Sequence, residues 1–241
     1  MLTLAFVANR HNLNSIAALT GALEADPRTS ALPLHFLWQD DRLLGRLEKV
    51  AHGSGRFVIA LSFATAGLPE ASRLIIGLRQ MLPQAFIVTG GPHPSARPAQ
   101  VLDLGADAVV IGEGEATLPT LLAGIAANVA LPRLPGVACL DTDGRLVRGR
   151  RPAPVDLDAW PPMGVQHRRF GPVEITRGCP RACAFCQTSF LFGGRMRHRS
   201  VELVVHWVRK AMERGYSYVR FVTPNAFAYQ SEDNGRTANL D

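Results

Sequence analysis

Through residues 2–127 the chain alternates short apolar runs with segments of helical spacing, and no other feature constrains its fold as much. "LTLAFVAN" (2–9), "PLHFLW" (33–38), "FVIALSFA" (57–64), "AFIVTGG" (85–91) and "ADAVVIGEGE" (106–115) read as strands. Between and after them lie "SIAALTGALEA" (15–25), "RLLGRLEKVAH" (42–52), "PEASRLIIGLRQML" (69–82), "AQVLDLG" (99–105) and "TLPTLLAGIAA" (117–127), which read as helices. Apolar runs without polar alternation mark strands buried on both faces. Strands alternating with helices imply βαβ units and a mostly parallel, doubly wound α/β sheet. In such a sheet ligands bind beyond the carboxyl ends of the strands.

That rule directs attention to "NRHNLN" (9–14), "SFATAG" (62–67), "GGPHPSARP" (90–98) and "GEGE" (112–115). Gly90 and Gly91 permit a close turn, and Pro92, Pro94 and Pro98 stiffen a loop around His93. Gly112 and Gly114 alternate with Glu113 and Glu115. No G-x-G-x-x-G follows the first strand and no G-x4-G-K-[ST] occurs, which argues against a dinucleotide and a P-loop nucleotide. Any one of these loops reads equally well as a tight turn. Four strand ends rich in Gly, Pro, Ser and His favour a large flat ligand.

"VTGGPHPSARP" and "ADAVVIGEGEATLPTLL" resemble the cobalamin-binding, Rossmann-like domain that precedes some radical enzymes. The resemblance spans roughly residues 1–130. It implies that Asn9, His11, Asn12, Ser62, Thr65, Gly90, Gly91, His93, Pro94, Gly112, Glu113 and Gly114 line the corrin and its nucleotide tail. Many cobalamin proteins carry D-x-H-x-x-G after the first strand, where the His ligates cobalt. Here Asn9, His11 and Asn14 stand at those three positions. The carboxylate that would orient the imidazole is lost. His11 therefore reads as a loop residue near the corrin edge, with cobalt ligation as the alternative.

Residues 134–163 change character. "GVACL" and "RLVRG" flank "DTDG", a hairpin signal. Pro152, Pro154, Pro161 and Pro162 follow in a stiff connector, giving a hairpin and linker over 131–170. Cys139, inside the hairpin, reads as a small buried hydrophobe. The net charge is +6. The excess sits in arginine runs such as "RLVRGRR" (145–151) and "RMRHR" (195–199), with no interleaved aromatics for base stacking, so a nucleic-acid partner is not expected.

The other three cysteines lie in "TRGCPRACAFCQTS" (176–189), spaced C-x3-C-x2-C. Four cysteines in 241 residues make no disulfide framework, and a tight cluster in a reducing compartment points to metal binding or catalysis. Structural zinc asks for four closed ligands, and no second knuckle follows. His198 is the nearest further donor, within an arginine-rich run. Iron–sulfur cubes take cysteine thiolates, normally four, so three leave one iron open.

C-x3-C-x-Φ-C, with Phe185 before the last cysteine, resembles the signature of the radical S-adenosylmethionine (SAM) superfamily. The resemblance implies a [4Fe-4S] cluster on Cys179, Cys183 and Cys186, with S-adenosyl-L-methionine on the fourth iron. Reductive cleavage of SAM then yields methionine and a 5′-deoxyadenosyl radical. Phe185 would lie near the adenine. Asn225 stands where the family's G-G-E would hold the SAM amino group, with Thr223 and Pro224 before it. "VELVVHWVRKAMERG" (201–215), with Ser200 as N-cap, and the strand "SYVRFVTPNAF" (217–227) continue the opening of a (β/α) barrel over 171–241. A full barrel takes ~200 residues or more. The expectation is therefore an incomplete barrel within a longer protein, with Asn239 as the cap of a helix not contained here.

Together the two resemblances imply a cobalamin-binding radical SAM enzyme, with methyl transfer to an unactivated carbon as the reaction. A small-molecule substrate and an electron donor such as flavodoxin or ferredoxin are the expected partners. No catalytic residue can be assigned. The alternatives are a cobalamin or redox-sensing module without radical catalysis, and an RNA-modifying enzyme of the methylthiotransferase kind. No apolar run reaches ~18 residues and "MLTLAFVANRHNL" has no basic leader, so a soluble cytoplasmic protein is expected.

Overall fold

A computed structural model describes residues 1–131 and 134–240. Pro132, Arg133 and Asp241, which belong to the expected linker and barrel segments, lie outside the described residues. The chain divides into two units. The first is Met1–Ile16 with Asp26–Pro152, and the second is Ala17–Ala25 with Ala153–Asp241.

The first unit is built on β1 (Leu2–Ala8), the start of α1 (Leu13–Ala25, whose residues from Ala17 on belong to the second unit), β2 (Leu34–Trp38), α2 (Leu43–His52), β3 (Arg56–Ser62), α3 (Leu68–Met81) and β4 (Phe86–Gly90). It continues through α4 (Pro92–Ala96), α5 (Pro98–Asp103), β5 (Ala108–Val110), α6 (Thr117–Ala126), β6 (Val137–Leu140) and β7 (Leu146–Arg148). One seven-stranded sheet runs in the order β2-β1-β3-β4-β5-β6-β7. Its first five strands are parallel, as the apolar runs require. All seven residues of β1 are buried, as befits a strand flanked on both sides.

The core on one face gathers Val7, Leu47, Ile59, Ile75, Leu78 and Ile87, all at or near zero exposure. At ~1.5–3 kcal/mol per buried aliphatic side chain, these positions dominate the unit's stability.

Three details differ from the sequence reading. The last parallel strand is only Ala108–Val110, and "GEGE" lies wholly in the loop after it. Gly112 takes φ +74°, outside the extended range. The stiff loop around His93 is instead a single helical turn, Pro92–Ala96, because proline fits the first turn of a helix, where its missing N–H has no partner to lose. The hairpin around "DTDG" forms, and β6 pairs antiparallel with β5 on one side and β7 on the other, so the hairpin extends the sheet. Cys139 in β6 is 2% exposed, and burial raises its thiol pKa, as expected for a structural thiol.

The second unit contains β8 (Val173–Glu174), β9 (Thr176–Arg177), α7 (Thr188–Phe192), β10 (Arg197–His198), α8 (Val201–Glu213) and β11 (Phe221–Val222). β8 pairs with β11 in parallel, with α8 between them in sequence, which is one β/α unit. β9 pairs antiparallel with β10. The core joins Met163, Val173 and Ala211 with Phe170, Trp207 and Val219.

Ser200 stands at the N-cap of α8 but makes no side-chain cap bond. Its N–H instead donates to Asp158 Oδ1 at 2.9 Å. Gly215 closes the helix at φ +88°. Asn239 donates its N–H to Phe227 O at 2.7 Å and its side-chain amide to Tyr229 O at 3.1 Å. Among the described residues no helix is long and apolar enough to cross a membrane.

Candidate functional site

In the first unit, parallel pairing of β1, β3, β4 and β5 brings their following loops to one end of the sheet. Hydrogen bonds lace these loops together. Asn12 is buried, and its side-chain amide donates to Val7 O at 2.9 Å and to Ser62 O at 3.3 Å. Its Oδ1 accepts the Asn9 N–H at 2.8 Å. Asn12 thus binds the first loop to the second, and the Asn9 side chain donates to Gln39 at 3.0 Å.

Phe63 N–H donates to Gly90 O, and His93 N–H to Phe63 O. The His93 ring stacks on Phe63 with centroids 5.8 Å apart, and its Nδ1 lies 3.2 Å from Thr65 Oγ1. Ser95 Oγ accepts the Gly112 N–H at 2.9 Å, tying the third loop to the fourth. Gly91 takes φ +90°, and a Cβ there would lie 2.8 Å from Ser62 Oγ, so only glycine fits.

His93 is 4% exposed and its Nε2 is buried with no hydrogen-bond partner among the described residues. Burial lowers its pKa, with a smaller opposing effect from Gln100. Pro94 is buried beside it, and Glu113 and Gly114 are partly buried in the fourth loop. His11 is exposed, and its Nε2 accepts from Arg10 Nε at 3.1 Å.

In the second unit the cysteine loop leaves the end of β9. Gly178 takes φ +88°, and a Cβ there would lie 2.2 Å from Arg195 O. Cys179 N–H donates to Gly193 O at 3.1 Å, and Ser189 Oγ donates to Cys179 O at 2.6 Å. These contacts close the neck of the loop at its first cysteine. Asn234 reinforces the far side, accepting the Met196 N–H at 2.7 Å and donating to Gly194 O at 3.0 Å. The hydroxyls of Ser231 and then Thr237 hold the adjacent Asp233 carboxyl down at about 2.

Beyond the neck the loop is open. Cys179 is half-buried, whereas Cys183 and Cys186 are exposed and share one turn, with Cys186 N–H on Cys183 O at 2.9 Å. The Cys186 thiol lies 3.2 Å from Thr188 Oγ1, and the Thr188 hydroxyl and then its N–H lower that thiol's pKa. Among the described residues no group of three or more His, Cys, Asp and Glu side chains is gathered as one metal ion would need. Phe185 is 92% exposed at the tip. Asn225 follows β11, whose Val222 pairs in parallel with Glu174 of β8, whereas the cysteine loop follows β9, which pairs with β10.

The arginines under this loop point inward. Arg177 is 6% and Arg199 2% exposed. Arg177 forms a forked pair with Glu174 at 2.5–3.1 Å and lies over the Phe192 ring at 5.2 Å. Arg197 donates to Val155 O and to Phe192 O, and Arg199 to Glu174 O and Trp160 O. Sequence reasoning missed these roles, and those of Thr188, Ser189 and Asn234, because a polar side chain's partner carbonyl leaves no mark in the sequence.

Comparison with known proteins agrees with both halves of this description. The B12 binding domain model matches residues 15–122 and the radical SAM superfamily model residues 173–234. Hopanoid C-3 methylase of Methylococcus capsulatus is 29% identical over 160 residues, covering 62% of this chain and 31% of that protein. Anaerobic magnesium-protoporphyrin IX monomethyl ester cyclase of Synechocystis sp. is 31% identical over 163 residues, covering 62% and 32%. The chain spans about a third of the length of the curated relatives it matches. Among solved structures, the radical SAM methyltransferase TsrM from Kitasatospora setae, with cobalamin and a [4Fe-4S] cluster bound, superposes with a TM-score of 0.72. The match has 20% identity over 94% of this chain and 49% of that one. The chain thus carries a segment that matches the B12 binding domain model and, after it, one that matches the radical SAM superfamily model.

Proposed function

We propose that the chain is part of a cobalamin-dependent radical SAM methyltransferase, in which Cys179, Cys183 and Cys186 hold a [4Fe-4S] cluster. The observation that carries this reading is the cysteine loop, set after the first strand of a parallel β/α unit and closed at its neck by Cys179. Its donor set fits the group. A cube takes each thiolate on a different iron, so three sulfurs need not converge on one point as a single ion requires. The exposed Cys183 and Cys186 are accessible for cluster assembly.

When bound, the cluster supplies the electron that cleaves SAM and cobalamin carries the methyl group, on to an unactivated carbon of a small molecule. The chain's own residues bind and orient these groups. The buried, unpaired His93 Nε2 supports a polar contact to cobalamin at the strand-end loops. Asn9, Ser62, Thr65, Gly90, Gly91, Pro94, Gly112, Glu113 and Gly114 line the same loops. Asn12 acts there by fixing the loops together, since its amide is already bonded. Arg10 on the His11 Nε2 favours the corrin-edge role of His11 over cobalt ligation. Phe185, in the cysteine loop, and Asn225, after β11, are suited to SAM.

The segments serve as a cobalamin module (1–130), a hairpin and linker (131–170) and the opening of the barrel (171–241). A flavodoxin or ferredoxin in a reducing cytoplasm supplies the electron. Anaerobic purification with iron, sulfide and cobalamin quantified together tests the reading. Three-cysteine iron binding with formation of 5′-deoxyadenosine from SAM is expected. An intact cluster without SAM cleavage would favour a redox sensor instead.

A further inference from the structure

We propose that Thr188 is a positioning residue for the cluster. In this reading its hydroxyl hydrogen-bonds the Cys186 sulfur and so sets how readily the bound cluster accepts an electron. This rests on the reading of residues 179–186 as the cluster loop.

The geometry begins with two consecutive hydroxyls in "QTS". Thr188 Oγ1 lies 3.2 Å from Cys186 Sγ, and Ser189 Oγ donates to Cys179 O at 2.6 Å. One short helical turn therefore grips the third cysteine by its sulfur and the first by its backbone. Among the described residues, neither Cys179 Sγ nor Cys183 Sγ has a hydrogen-bond partner, so Cys186 is singled out.

The mount of this turn is firm. Leu191 N–H returns to Gln187 O and Gly193 N–H to Ser189 O. Arg197 holds Phe192 O at 3.0 Å, and the Arg177 guanidinium covers the Phe192 ring. Thr188 is thus held beside Cys186 and is not free to drift off with the exposed tip.

As a free thiol, Cys186 donates to the Thr188 oxygen. A metal-bound thiolate has no proton to give, and the freely rotating hydroxyl can donate to it from the same position. A donor aimed at a ligating sulfur stabilises the more negative, reduced cluster and raises its potential. Removing the donor lowers that potential.

The test compares Thr188→Val, which keeps the shape but loses the hydroxyl, with Thr188→Ser, which keeps the hydroxyl. Each is reconstituted anaerobically with iron and sulfide, checked by circular dichroism and titrated for midpoint potential by electron paramagnetic resonance. T188V is expected to retain iron and shift negative, with up to tenfold harder reduction, about 59 mV for one electron. T188S should return to the parent value. Loss of iron in folded T188V with retention in T188S also supports a role for the hydroxyl in holding Cys186. A fully loaded T188V with unchanged potential, or equal shifts in both variants, overturns the proposal. Absence of iron from the parent protein itself would instead overturn the cluster reading on which the proposal depends.

Discussion

The strand-end loops of the first unit and the cysteine loop of the second are the two candidate sites, yet they are held in opposite ways. The first are tied to one another along their whole length, through Asn12, Phe63, His93 and Ser95. The second is fastened mainly at its neck and by the Thr188 hydroxyl at Cys186, and Cys183, Phe185 and Cys186 are exposed. A preformed ledge suits a large rigid ligand, whose binding gains from low ordering cost. An open thiol loop suits a group that is assembled in place and then supplies much of the loop's order itself.

The sharpest way to break this comparison is to remove a thiol. Any one of Cys179→Ala, Cys183→Ala or Cys186→Ala should reduce bound iron to background and abolish the brown absorption, while cobalamin retention stays within about twofold. Wild-type iron content in C183A would refute the cluster assignment. Next comes Gly91→Ala. Its left-handed φ and the contact with Ser62 should cost about 1–3 kcal/mol, read by denaturant unfolding, and weaken cobalamin retention as well. Asn12→Ala removes two hydrogen bonds at the end of β1, to Asn9 and Val7, and one to Ser62 of β3, and should cost about 1–3 kcal/mol. Unchanged unfolding in N12A would mean the ledge is not held as described.

The smallest effect is in pH. His93 is held below its ordinary 6.5 by burial, so an unfolded chain takes up a proton there before the folded one does. Its contribution is complete above pH 6.5 and is lost as the pH falls towards the folded value. Stability should therefore decline between about pH 7 and 5, and His93→Gln should flatten part of that slope. His198 behaves alike in the second unit, where its Nδ1 accepts the Gln230 N–H at 3.2 Å, and His198→Gln checks it separately.

The five parallel strands were legible because burial on both faces writes an unbroken apolar run. The three cysteines stood out in the sequence because their spacing is chemical, and the structure sets them in one loop. The hairpin was legible as "DTDG", but its place beside β5 was not, since pairing is decided by which backbone edge is vacant. The strands of the second unit are shorter than their apolar patterns suggest. β8 and β11 pair over only two residues each. The inward turn of Arg177 and Arg199 ran against the strong tendency of arginine to stay exposed. Their burial is offset by the Glu174 carboxylate and by backbone carbonyls, which any sequence supplies equally.

The hairpin has one more consequence. β7 is one edge strand of the seven-stranded sheet, with a row of backbone donors and acceptors along its free side. Unprotected, such a strand invites another chain to add itself and begin aggregation. β7 is only Leu146–Arg148, and exposed Arg145, Arg148, Arg150 and Arg151 surround it. A second copy approaching in register would bring like charges together. The basic run thus sets like charges along an edge that the sheet would otherwise leave open to a second strand.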